Sequence, residues 1–491
     1  MSKGSGMLDG STGALAVQWR GLRVAGILAL CVAGCSASSA GTDPSADVPD
    51  AAADVAPDAP DAFDVADLPD ALDTPDVPDA PDVPQPFHWA SGCEGARTWD
   101  AWTTADAASD AVTADAPAPD APFLRGPLVQ MADRDGATLV WRTTTPLTEQ
   151  GCVDLSWGGD PSTQRTVCGT ADANGQYQVA VTGLPAATEV TYTVRVGDTR
   201  TQPTTFRTLP DRPVPMKFAV FADAHSNEVN LRKMSQVALA EGVDFAIGVG
   251  DLSNAGLVSE FDTTFRGFRD LGARVNIWAV IGNHDEKNLP AYMDAFVLPE
   301  GNTEDDPSAG LGEAWWSRRI GDVWIGGGYI RDFYLSQPDS DWGEVGWFLG
   351  QFQTEEFQTA KWKLFFIHEP PWVASGGDDC TYYGENSLRV AMIPMLAAAG
   401  VQASFHGHMH GIEWGDVGGV TTYVVGGLCG CGMDTGQCPP PAGLPSPWNV
   451  KYQVPNFAIV ETGCDGLTVR YLDLEGKEIE TKPIATPATA P

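Results

Sequence analysis

Five short apolar runs in the second half of the chain, each broken at its end by His, Asp or Asn, constrain the fold more than any other feature. They occupy residues 217–222, 243–249, 275–281, 363–367 and 401–405. A run that is apolar throughout, rather than alternating, is what a strand covered on both faces requires. Residues 228–241 and 387–399 lie between such runs and carry helical spacing. Strands alternating with helices predict an α/β domain over residues 216–480. In sheets of this kind ligands bind at the carboxyl ends of the strands, so the five broken ends are expected to converge.

The residues at those ends are Asp223-Ala224-His225, Gly250-Asp251, Gly282-Asn283-His284-Asp285, His368, and His406-Gly407-His408-Met409-His410. Each motif is weak alone. Asp-x-His is common, Gly-Asp is usually a turn, and a lone buried histidine is usually a hydrogen-bonded core residue. Five such motifs in order, holding six of the chain's seven histidines, are a different matter. Imidazole and carboxylate donors suit Fe, Mn, Zn or Ni better than Mg or Ca, and one carboxylate can bridge two ions. Two ions roughly 3.5–4 Å apart stabilise in-line displacement at phosphorus.

These residues resemble the calcineurin-like metallophosphoesterases, a group that includes the purple acid phosphatases. The resemblance covers roughly residues 216–475 and implies a sandwich of mixed β-sheets flanked by helices. It implies that Asp223, His225 and His410 hold one ion, that Asp251 bridges, and that Asn283, His368 and His408 hold the other. His284 is then the catalytic histidine beside the ions. Two divalent or trivalent ions (Fe, Mn or Zn) are the implied cofactors, and a small phosphorylated molecule is the implied substrate. One position departs from the purple acid phosphatase pattern: three residues after the bridging aspartate, where that family has a metal-binding tyrosine, this chain has Asn254. Without a phenolate the site is not expected to be purple. Asn254 either ligates through its amide oxygen or hydrogen-bonds a nearby water. His406 is extra to the pattern and is expected to be structural or outer-sphere rather than a ligand, while Asp285 and Glu369 are candidates to orient the imidazoles.

Upstream, residues 137–142, 176–181, 189–195 and 204–208 alternate in polarity or are rich in β-branched and aromatic side chains, with turn signals between them. They predict a small all-β sandwich over residues 123–210, preceding the α/β domain. This segment resembles the fibronectin-type-III-like domain of many purple acid phosphatases. Residues 35–122 read as linker, with a small island around His88, Trp89, Cys93, Trp99 and Trp102. Between Asp43 and Asp82 there are 13 aspartates and no Lys or Arg, a composition with too little apolar surface to fold. The net charge of −36 therefore says more about the linker than about the site, and no basic patch suggests nucleic-acid binding.

Residues 1–34 read as a signal peptide. Arg20 and Arg23 precede an apolar run over residues 24–34, about half the roughly 20 residues needed to span a bilayer. Val32-Ala33-Gly34-Cys35 resembles the bacterial lipoprotein cleavage box, making Cys35 the expected lipidated residue; an ordinary cleaved signal is the alternative. Ser36 rather than Asp follows Cys35, which points to the outer membrane, on its periplasmic face or at the cell surface. Apart from Cys31 and Cys35 there are eight cysteines, and export makes disulfides the default. Cys152 with Cys168 is a plausible pair, and a zinc site from Cys429, Cys431 and Cys438 is disfavoured by its spacing.

The expected activity is hydrolysis of phosphate esters, with monoesters favoured. The alternatives are a phosphodiesterase or nucleotide pyrophosphatase, with residues 302–312 and 373–386, including Tyr382 and Tyr383, as substrate-side loops, and a surface-binding lipoprotein with a vestigial phosphoesterase domain.

Overall fold

The computed structural model describes His88, Ala90, Cys93, Glu94 and residues 123–144, 148–299, 313–329, 343–375, 381–431, 442–451 and 454–485. The expected signal peptide, the acidic stretch, Trp89, Trp99, Trp102, Cys380, Cys438 and the loop 302–312 lie outside the described residues.

The first described strands are β1 (Phe123–Asp133), β2 (Gly136–Thr143), β3 (Gly151–Trp157), β4 (Arg165–Gly169), β5 (Gln176–Thr182), β6 (Glu189–Val196), β7 (Thr199–Arg200) and β8 (Thr204–Arg207). They form two antiparallel sheets, one ordered β1-β2-β5 and the other β4-β3-β6-β7, with β8 also paired to β6. Burial alternates along β5 and β6, as the sequence periodicity requires of strands with one face inward. Trp141 stacks on Tyr177 at 5.1 Å, and both rings cover Gly151 of the opposite sheet. A side chain at Gly151 would collide with them.

The α/β part adds β9 (Lys217–Phe221), β10 (Phe245–Val249), β11 (Asn276–Val280), β12 (Trp316–Ile320), β13 (Val323–Gly327), β14 (Trp362–Phe366), β15 (Ala403–His406), β16 (Ile412–Val417), β17 (Val420–Val424), β18 (Trp448–Lys451), β19 (Asn456–Thr462), β20 (Gly466–Asp473) and β21 (Glu478–Ala485). One sheet runs β11-β10-β9-β19-β20-β21 and the other β12-β13-β14-β15-β17-β16-β18. The centre of each is parallel, β9 with β10 and β11 in one and β13 with β14, β15 and β17 in the other. Antiparallel strands complete both, so this is a fold of mixed sheets and flanking helices, as expected.

The two sheets share one core. Trp278 of β11 packs on Trp316 of β12 at 5.6 Å, and the Trp316 indole donates to Ala279 O at 2.7 Å. Tyr471 of β20 donates to Val424 O of β17, and Trp362 of β14 donates to Gly463 O. Helix Glu228–Glu241 covers an outer face with Leu231, Met234 and Ala238, while Phe348 of helix Gly343–Gln351 meets Phe365 on the other sheet. The helix expected over residues 387–399 is interrupted: Leu388–Met392 is a π turn, followed by α-helix Ile393–Ala399. Pro394 has no N–H for the usual i−4 bond, and the neighbouring Ile393 N–H reaches Leu388 O instead.

Two further features fix the frame around the site. Cys93 is bonded to Cys464, and Glu94 N donates to Pro213 O, so the short described segment near residue 90 is tied to the α/β part. The β-sandwich docks through polar bonds, two of them buried, Ala132 N to Asn276 Oδ1 and Arg125 Nε to Asp262 Oδ1 at 2.8 Å, and two partly buried, Val297 N to Gln130 Oε1 and Tyr192 OH to Ala273 O. The Arg125 side chain is 0% exposed and that of Asp262 9%, while the guanidinium also lies over the Phe265 ring. Removing one partner of a buried pair strands the other charge, which costs about 3–5 kcal/mol. Asp262→Ala is therefore expected to lower unfolding free energy by about that much in denaturant titrations; a loss under about 1 kcal/mol would mean that this pair does not fasten the sandwich.

Candidate metal centre

The five strand ends meet. β9, β10 and β11 end side by side in one sheet, and β14 and β15 do so in the other. Asp223, His225, Asp251, Asn283, His284, His368, His408 and His410 all lie within the resulting cluster, linked by the contacts that follow. His225 Nε2 and His410 Nε2 are 3.3 Å apart, and His410 Nε2 is 3.8 Å from Asp223 Oδ1. Asn283 Oδ1 lies 3.1 Å from His368 Nε2 and 2.9 Å from His408 Nδ1. Asp251 stands between these two groups: its Oδ2 is 3.7 Å from His225 Nε2 and 3.3 Å from His368 Nε2.

Local backbone geometry explains how side chains so close in sequence can converge. Asp223, His225, Ser226, Asp251, His408 and His410 all have φ between 43° and 69°. Such left-handed conformations cost a non-glycine residue roughly 1–3 kcal/mol and persist only where the surroundings impose them. Among the described residues only two other non-glycines, Met131 and Ala187, have positive φ, so the strain is concentrated at this site. Gly250 and Gly282 leave the room that the ligands fill. A Cβ at Gly250, where φ is 79°, would lie on the His368 ring, and one at Gly282 would strike Asp251.

Backbone groups then lock the side chains. His408 N donates to Asp223 Oδ1 at 2.9 Å and His284 N to Asp251 Oδ1 at 2.7 Å. The far nitrogens of the rings are held by carbonyls: His368 Nδ1 by Val249 O, His410 Nδ1 by Cys431 O and His284 Nδ1 by Asn254 O. Each such bond fixes the tautomer and leaves Nε2 facing the centre. These acceptors are absent from the sequence-based candidates, since every residue has a carbonyl and composition cannot single one out.

Several sequence-based expectations are sharpened or corrected. Asn254 Oδ1 meets the outer Nδ1 of His225 at 3.3 Å rather than pointing among the ligand atoms. Asp285 does not orient an imidazole; its carboxylate accepts from Leu252 N, Ser253 N, Ser253 Oγ and Gly282 N, bracing the loops after β10 and β11. His406 is buried outside the cluster, with Nδ1 on Glu369 O and Nε2 on Ser404 Oγ, as a structural histidine should be. His88 pairs with Glu355 at the surface. Cys429 and Cys431 are joined as a disulfide, as are Cys152 and Cys168.

The electrostatics fit cations. Burial pushes Asp223 up, and its Oδ2 is buried without a hydrogen-bond partner. Burial also works against ionised Asp251, yet the charge of His368 and the hydrogen bonds from His368 and His284 N hold it well below the usual carboxylate range. His408 is pushed down to about 3 by burial and then by the charge of His368, and burial lowers His225 as well. His225 and His408 are thereby kept neutral, the state a metal ion needs, whereas His368, against the effect of burial, is raised well above its ordinary value by the carboxylates of Asp251, Glu369 and Asp223, a positive charge standing where an ion's would. An orphaned carboxylate oxygen, an amide oxygen and four ring nitrogens around a shared carboxylate therefore suit a pair of ions of intermediate hardness.

Residues 216–411 match the family model for calcineurin-like phosphoesterase. Among solved structures, a purple acid phosphatase from seeds of yellow lupin (Lupinus luteus) is similar with a TM-score of 0.58 at 14% identity, covering 73% of this chain and 74% of that chain. PhoD is similar with a TM-score of 0.55 at 11% identity, covering 76% of this chain and 94% of that chain. No curated protein sequence matches the chain. At such identities the two structures speak to fold alone, a mixed α/β architecture that this chain shares. The family match spans the residues that build this cluster, so this part of the chain is similar to the calcineurin-like phosphoesterases, and it supports a phosphoric ester hydrolase.

Proposed function

We propose that this chain hydrolyses phosphate monoesters at a dinuclear centre in which Asp223, His225 and His410 would hold one ion, Asn283, His368 and His408 would hold the other, and Asp251 would be shared between them. The observation that carries this reading is the position of Asp251 Oδ2 between His225 Nε2 and His368 Nε2, imidazoles assigned to different ions. When bound, two such ions activate water as a nucleophile and neutralise the charge that builds at phosphorus. The protein's own contribution is to hold the donors at fixed spacing and to place an acid–base group beside them.

That group is His284. Its Nδ1–H is committed to Asn254 O at 2.5 Å, which leaves Nε2 for the substrate, and its ring lies edge-on to His225 at 4.4 Å. A ring nitrogen of His284, one of His225 and an oxygen of Asp251 lie within 4.8 Å of one another. His284 can thus protonate the departing oxygen or donate a hydrogen bond to phosphoryl oxygen. Lys287 Nζ, 3.0 Å from His284 Nδ1 and 3.2 Å from Asn254 O, adds a cation that favours a dianionic monoester over a monoanionic diester. A diester or nucleotide substrate is supported by Tyr382, whose ring lies 4.9 Å from His408 and offers an aromatic wall.

The same reading includes export and a lipid anchor on Cys35. The described disulfides suit an oxidising compartment, and loss of membrane association in Cys35→Ala tests the anchor.

Asp251→Asn and His284→Ala are each expected to lower kcat on a monoester by roughly 10²-fold or more, since one removes the shared carboxylate and the other the acid. Wild-type turnover in either purified variant would refute the assignment. The native protein is expected to carry about two transition-metal ions per chain; a native protein free of them would point instead to a surface-binding role. With monoester, diester and nucleotide substrates compared on one preparation, kcat/KM should be highest for the monoester, and Lys287→Ala should narrow that preference through KM.

A further inference from the structure

The turn Cys429-Gly430-Cys431 is not part of the ligand set, yet it forms the outer wall of one half of it. Cys431 O accepts from His410 Nδ1 at 2.8 Å, and both sulfurs lie 3.6 Å from that nitrogen. From the other side of the turn, Cys429 N donates to Asp223 O at 2.7 Å. Asn227 Nδ2, at the start of the helix that follows His225, donates to Cys429 O at 2.8 Å. One disulfide therefore backs Asp223, His225 and His410 together. None of these contacts reaches Asn283, His368 or His408.

Stability does not account for a bridge at this place. A disulfide stabilises a fold chiefly by closing a loop in the unfolded chain, and the effect grows with loop length. Cys93 and Cys464 are separated by 371 residues, Cys152 and Cys168 by 16, but Cys429 and Cys431 by 2. The last bridge constrains the unfolded chain least. It is also accessible: Cys431 is exposed and Cys429 half-buried, so an attacking thiolate can reach a sulfur.

We propose that the Cys429–Cys431 disulfide is a thiol–disulfide exchange site that sets how tightly the Asp223–His225–His410 half of the centre holds its ion. The inference rests on the dinuclear reading given above. The reaction partner is a dithiol. One of its thiolates attacks a sulfur of the bridge, the Cys429–Cys431 bond breaks, and a mixed disulfide forms. The second thiol of the partner then displaces it. The partner is oxidised to its own disulfide, and two electrons and two protons pass to Cys429 and Cys431, which become thiols. With the bridge open, the carbonyl of Cys431 is no longer held on His410 Nδ1, and a bond of that kind is worth about 10- to 100-fold in metal affinity. In the oxidised protein the two bonded sulfurs, a His410 nitrogen and a His225 nitrogen lie within 4.8 Å of one another, so opening the bridge frees its sulfurs beside the imidazoles of this half. The opened turn thus unsettles one ion and leaves the other in place.

The experiment is metal retention by the full chain, measured by dialysis against a graded chelator series, for the oxidised protein, for protein treated with a small dithiol, and for the double variant Cys429→Ser/Cys431→Ser. Alkylation and peptide mass spectrometry report which bridges have opened. The oxidised protein should retain two ions of similar affinity. The dithiol-treated protein and the double variant should each bind one ion roughly 10- to 100-fold more weakly, and the variant should not respond to dithiol. Re-oxidation should restore the wild type alone. Because the variant keeps Cys93–Cys464 and Cys152–Cys168, it separates this effect from general reduction. Unchanged retention in the variant, or equal weakening of both ions, overturns the proposal while leaving the dinuclear centre standing. An oxidised protein that binds no ions overturns the dinuclear reading itself.

Discussion

Two carboxylates, Asp223 and Asp251, are buried close together at the ends of adjacent parallel strands, and burying like charges is costly unless positive charge stands between them. The surrounding structure answers that constraint. A backbone N–H from a distant loop is fastened to each carboxylate, His408 N to Asp223 and His284 N to Asp251. Imidazoles fill the remaining directions with neutral or positively charged nitrogen. The pair of sheets makes this possible because strands β9, β10 and β11 in one, and β14 and β15 in the other, deliver their carboxyl ends to one edge.

The arrangement is held at a cost that the rest of the fold bears. Six strained left-handed residues at the ligand loops each raise the energy of the native state, and none would persist on a free loop. They persist because Gly250 and Gly282 make room, and because Asp285 gathers four hydrogen bonds from the loops after β10 and β11. Burial and the neighbouring Asp251 push Asp285 up to about 6, so even this brace sits in the field of the site. Further out, the aromatic core between the sheets and the buried Arg125–Asp262 contact keep the strand ends from shifting. Precision at the site thus depends on rigid packing well away from it.

Much of this was legible in the sequence because strands covered on both faces leave an unbroken apolar signature. Phe245–Val249 and Asn276–Val280 lie within runs visible without any structure, and their ends named Asp251, Asn283 and His284. The antiparallel completion of both sheets was not legible. β9 pairs with β19, far downstream, and no local pattern records which strand will neighbour which. The π turn at Leu388–Met392 was hidden for a different reason: its apolar spacing is helical, and only the missing N–H of Pro394 hints at the slip. Asp285 was visible as a residue but misread in role, since a carboxylate beside a histidine in sequence need not face it in space.

The sequence by itself determined the chemistry: which donors exist, that they follow strands, and that imidazole, amide and carboxylate in this order suit a pair of metal ions. It did so because donor type and strand periodicity are local properties of the chain. Only the tertiary structure decided which nitrogen of each ring faces the centre, that Asp251 stands between the two groups, and that the Cys429–Cys431 bridge backs His410. Those relations depend on carbonyls and sulfurs brought near by folding, and the contacts that fix them join residues far apart in the chain.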